Sequence, residues 1–149
     1  MYRQQPAPLF DFLAARLEPM GFVAMERRWL HRKTWNTNRG VVLARLKANT
    51  LVSEVARLRD EAKRILKHSS WNQLGLQIVF EVESGSLPPR ELLSSLVDSV
   101  NQGALIQSIF VIDPATNEIL EARTWGQLIT GKFQDGIAAA LADFVSARA

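Results

Sequence analysis

Between Leu74 and Val82 the chain alternates with a period of two: Leu74, Leu76, Ile78, Phe80 and Val82 fall on one side, Gly75, Gln77, Val79 and Glu81 on the other. That period is the signature of a β-strand. Leu105–Ile112 predicts a second strand, Asp113–Asn117 a turn, and Glu118–Trp125 the returning partner of a hairpin. Upstream, Phe22–Lys33 and Val41–Lys47 read as strands on either side of Asn36–Gly40. The Asn, Thr and Gly residues there suit a turn, so these strands form another hairpin.

Elsewhere the period lengthens to that of a helix. Phe10–Leu17 predicts a short one, ended near Pro19 and Gly21. Thr50 is placed to cap a helix from Leu51 to about His68, with Val55, Leu58, Ala62, Ile65 and Leu66 on one face. Its other face is charged, with Asp60 and Arg64 four apart in the favourable order. Ser86 is placed to cap a third helix with Pro88-Pro89 in its first turn and Leu92, Leu93, Leu96, Val97 and Val100 inward. Phe133–Ser146 predicts the last, burying Ile137, Ala140, Leu141, Phe144 and Val145.

The order is therefore αββαβαββα. A helix between Leu74–Val82 and Leu105–Ile112 favours a parallel, right-handed crossover, whereas the flanking hairpins are antiparallel. The expected fold is α+β (mixed α/β): a single mixed five-stranded sheet, two hairpins plus a central strand, with helices packed on it. No repeat or linker divides the 149 residues, so 1–149 is expected to be one domain.

Composition narrows the chemistry. Hydrophobic residues at 47% and charged residues at 22% allow a globular core. The absence of cysteine rules out disulfides, Cys-ligated zinc and a Cys nucleophile. No apolar run approaches the ~20 residues that span a bilayer. No apolar core follows the first residues as in a signal peptide. A soluble, cytoplasmic protein with no membrane partner is expected. Residues 1–70 carry 14 Lys and Arg against 6 Asp and Glu, while residues 71–149 carry 4 against 9. A basic N-terminal half points to an anionic partner or to self-association.

Four patterns carry candidate chemistry. Gly126–Lys132 spells G-x-x-x-x-G-K between a predicted strand and a predicted helix, so Gly131 and Lys132 are candidate phosphate contacts. Phe133 stands where a P-loop needs Ser or Thr for magnesium, and a helical turn with a glycine bend explains the same residues. Asp113 and Glu121-Ala122-Arg123 resemble, in outline, the PD-(D/E)xK nuclease pattern with Arg in place of Lys; two carboxylates would have to converge on one ion. If Asp113 pairs with Glu118, however, Glu121 lies about 10 Å further along, beyond sharing a metal. Glu81 and Glu83 share a face as solvated strand-end residues. His31 and His68 sit in no metal-spaced cluster, so no metal or other cofactor is expected.

The third pattern runs from Arg27 to Arg39. As a strand it sets Arg27, Trp29, His31, Lys33 and Trp35 on one face and Arg28, Leu30 and Arg32 on the other. Cations beside flat rings suit nucleic-acid phosphates and bases. The competing explanation makes Trp29 and Trp35 core residues and the cations an edge-strand device. The fourth is the small, apolar run Ile137–Ala142, which allows a homodimer.

The expectation is a non-enzymatic binding or interaction module. Arg27, Arg28, Trp29, His31, Arg32, Lys33, Trp35 and Arg39 would face nucleic acid or an acidic protein. The alternative is a phosphate-handling enzyme using Asp113/Glu121 or the Gly126–Lys132 turn.

Overall fold

Leu9, Leu13 and Leu17 recur at every fourth position, and this stripe is buried along the first helix, α1 (Pro8–Leu17). Pro8 occupies its first position, where a missing N–H costs nothing. A 3-10 turn, Glu18–Met20, follows. Gly21 ends it at φ 93°, a left-handed conformation, with its N–H bonded to Glu18 O at 2.9 Å. The computed structural model describes residues 8–25, 29–33, 37–66, 73–83, 85–97, 100–101, 104–123 and 127–148.

The single strand expected over Phe22–Lys33 is two strands. β1 (Val23–Met25) and β2 (Trp29–Lys33) pair antiparallel, with Val23 opposite His31 and Met25 opposite Trp29. The sequence between them holds three successive charges, which offer a sheet interior nothing to bury. β2 then pairs with β3 (Thr37–Leu46) in the expected hairpin. β3 begins earlier than the alternation indicated: Asn38, Arg39 and Gly40 belong to the strand, and Arg39 sits directly opposite Arg32.

α2 (Leu51–Ile65) buries Leu51, Val55, Leu58 and Ala62. The Thr50 hydroxyl does not cap it, donating instead to Lys47 O at 2.7 Å. β4 (Gln73–Val82) keeps the predicted alternation and runs parallel to β3. α3 (Arg90–Leu96) is shorter than expected. Pro89 is extended and stands outside it, so the prolines precede the helix rather than open it. Of the expected stripe Leu93 and Val97 are buried, Leu92 is exposed, and Val100 belongs to β5 (Val100–Asn101). β6 (Ala104–Asp113) is parallel to β4, as the crossover rule required, and β7 (Glu118–Arg123) is its antiparallel hairpin partner. α4 (Gln127–Arg148) starts six residues before the predicted Phe133.

One mixed sheet results, ordered β1-β2-β3-β4-β6, with β5 and β7 both pairing β6. Among the described residues it has seven strands rather than the expected five; the additions are the three-residue β1 and the two-residue β5. α2 and α3 cover one face over Trp29, Val42, Ile78, Phe80 and Val111. α1 and α4 cover the other over Leu30, Val41, Val79, Phe110 and Ile112. On that face Arg16 bridges to Asp143 at 2.6 Å, and the rings of Phe12 and Phe144 meet edge-on at 5.5 Å. Gly136 lets α4 lie close: a Cβ there would stand 2.9 Å from Met20 Sδ. Among the described residues no helix is long and apolar enough to cross a membrane.

Candidate anion-binding site

Alternation along β2 and β3 decides which candidate cations share a face. Leu30 and Arg32 of β2, and Arg39, Val41 and Leu43 of β3, turn toward α1 and α4. There the ring of Phe133, in the second turn of α4, receives two guanidinium groups. The Arg32 carbon lies 5.0 Å from its centroid and that of Arg39 4.6 Å. Phe22 meets the same ring edge-on at 5.6 Å. Arg39 is 6% exposed. Its pKa is lowered, first by burial, which disfavours the charged form, and then by the positive charge of Arg32. Like charges directly opposite on adjacent strands repel. This end of the hairpin therefore concentrates positive charge against a low-dielectric wall.

Behind the arginines lies a buried polar layer. Arg39 Nη1 donates to Gln107 Oε1 at 3.3 Å, and Gln77 Nε2 donates to the same oxygen at 2.7 Å. The Ser108 hydroxyl donates to Gln77 Oε1, and Gln134 Nε2 donates to Gln107 O at 2.9 Å. The layer depends on a break in register. Leu76 pairs with Ile106 but Gln77 pairs with Ser108, so Gln107 is an extra residue, a β-bulge. Its side chain lies over Gly75, where a Cβ would come within 2.5 Å of Gln107 Oε1. Gln107, Ser108, Phe133 and Gln134 were not singled out in the sequence. One signal was present: two successive polar residues between Ile106 and Ile109 interrupt the period of two.

Trp29 does not belong to this site. It is fully buried under α2, and its Nε1 donates to Glu61 Oε1 at 2.7 Å. Glu61 Oε2 in turn accepts from Arg57 Nη1 at 3.0 Å. The pKa of Arg57 is raised, chiefly by its hydrogen bond to Glu54. The ring is a core element with its polar handle satisfied, and it offers no surface on which a base could stack. His31 is half-buried and shares Trp29's side of the strand. Lys33 ends β2 opposite Asn38. Arg27, Arg28 and Trp35 lie outside the described residues.

The two enzyme-like patterns come apart. Residues 127–132 are helical, so Gly131 and Lys132 stand within α4 rather than in a loop before it. Backbone N–H groups beyond a helix's first four bond internally and cannot cradle a phosphate. Gly126 lies outside the described residues. Asp113 is buried opposite Glu118, and its carboxylate accepts from the N–H groups of Gly85 (3.0 Å), Ala115 (3.0 Å) and Thr116 (3.4 Å). These bonds, that from Gly85 foremost, lower its pKa against the opposing effect of burial. Glu121 stands three rungs away, opposite Phe110, and accepts from Arg123, which also reaches Asp135 on α4. Asp113 therefore organises a turn, and Glu121 buttresses Arg123, which ties β7 to α4 through Asp135. Among the described residues no three His, Asp or Glu side chains gather as metal ligands would. No protein-family model, curated protein or solved structure matches the chain, so its own residues carry the functional reading.

Proposed function

We propose that this chain is a non-enzymatic binding module that receives an anionic partner, nucleic acid foremost, at the Arg32–Arg39 end of the β2–β3 hairpin. The observation that carries the proposal is the cross-strand arginine pair gathered on Phe133. Two cations facing one another cost stability, and a desolvated guanidinium costs more. A phosphate at this end would accept charge-assisted hydrogen bonds from guanidinium groups gathered on one ring. With Trp29 in the core, affinity would come from backbone phosphates rather than stacked bases, and so would be steeply salt-dependent and tolerant of sequence.

Fluorescence anisotropy with labelled single- and double-stranded DNA and RNA, from low to physiological salt, tests this. Arg32→Gln is expected to weaken binding and flatten the salt dependence. It should leave thermal stability unchanged or raised by about 0.2–1 kcal/mol, because a repulsion is removed. Binding that Arg32→Gln leaves intact, or that vanishes at physiological salt in the unaltered chain, overturns the proposal.

A further inference from the structure

At the opposite, carboxyl end of the parallel strands, the first turn of α2 and the segment from Gly85 to Leu92 enclose a crevice of about 770 Å³. This volume falls in the range of small-molecule sites. Two large apolar side chains that the fold leaves in solvent, Val52 (56% exposed) and Leu92 (36% exposed), both line it. The far wall is fixed before any ligand arrives. Asp113 holds the Gly85 N–H, Ser86 N bonds to Glu83 O at 3.0 Å, and Pro88-Pro89 stiffen the approach to α3. A preformed wall spares a ligand the cost of ordering it.

We infer that this crevice binds a small aliphatic carboxylate, an acyl chain ending in a single anionic head. The lining selects the ligand by what it holds and what it lacks. Its apolar side chains are Leu, Val, Ala and Pro, with no aromatic ring among the described lining residues to stack on a flat base or cofactor. Among the described residues no Asp or Glu lines it, and Lys47 contributes a positive charge to a lining that includes Asn49 and Ser53. With no arginine among the described lining residues, the bidentate recognition typical of phosphate is disfavoured, whereas one compact ammonium suits a monoanion.

Decanoate titrated into the full-length chain, followed by amide NMR, is the test. The expected result is saturable binding of one molecule per chain, with shifts centred on Val52, Leu87 and Leu92. Ala56→Trp fills the crevice from an exposed position and should abolish those shifts, and Leu92→Asp should do so independently. Lys47→Glu should weaken decanoate about five-fold. The inference is overturned by non-saturable shifts, or by shifts that persist in both crevice variants. Decanol or decylammonium binding as tightly as decanoate also overturns it. So does a peptide with an apolar C-terminus binding more tightly than decanoate. None of these readouts depends on Arg32 or Arg39.

Discussion

The two faces of the sheet are built on different terms. Under α2 and α3 the fully buried strand side chains are aliphatic and aromatic, and Trp29 Nε1 is matched to Glu61. Under α1 and α4 the apolar layer gives way, near the start of α4, to Arg39, Gln77, Gln107, Ser108 and Gln134. The first arrangement maximises area removed from water. The second accepts desolvation of polar groups and keeps them only through a hydrogen-bonded layer around a bulge. Where a fold spends stability on a buried polar layer beside repelling cations, function is the economical explanation.

Core substitutions on each face should break this contrast most strongly. Trp29→Ala removes the largest fully buried side chain among the described residues and takes the indole donor from Glu61 Oε1, and is expected to cost about 3–5 kcal/mol in urea unfolding. On the other face, Gly75→Ala would drive a methyl into Gln107 and cost about 1–3 kcal/mol. Gln107→Ala in the same chain should recover most of that loss; without recovery, the clash is not what Gly75 avoids. Asp113 sharpens the picture through pH. Its folded pKa is depressed, so its stabilisation is complete above the ordinary carboxylate value and lost as pH falls through the lower folded value. Asp113→Asn should therefore flatten the acid limb of a stability–pH curve. The smallest effect belongs to the ion pair on the outer side of α1 and α4. Both side chains of Arg16–Asp143 are about half exposed, so Arg16→Ala should change stability by ~0–1 kcal/mol, less in high salt.

Much of the fold was legible in the chain. The alternation at Leu74–Val82, the parallel crossover to β6 and the Asp113–Asn117 hairpin follow from side-chain period and turn chemistry alone. Element ends were less legible. Gln127–Lys132 carries no apolar stripe that separates helix from loop, so α4 begins before its pattern does, and the chain reversal within Phe22–Lys33 lay hidden inside a segment taken as one strand. The candidate site was half visible. Arg32 and Arg39 stood in a basic run, but nothing local tied them to Phe133, almost a hundred residues later in the chain.

The sequence by itself determined the order of the four helices and five principal strands, the mixed sheet and the positive charge of the N-terminal half, because each follows from residue type and short-range spacing. Only the tertiary structure decided which face of each strand meets which helix. That placed Trp29 in the core and brought two arginines from neighbouring strands onto one ring of α4. Burial and charge proximity are long-range quantities: they depend on which distant segments pack together, and no local pattern encodes that pairing.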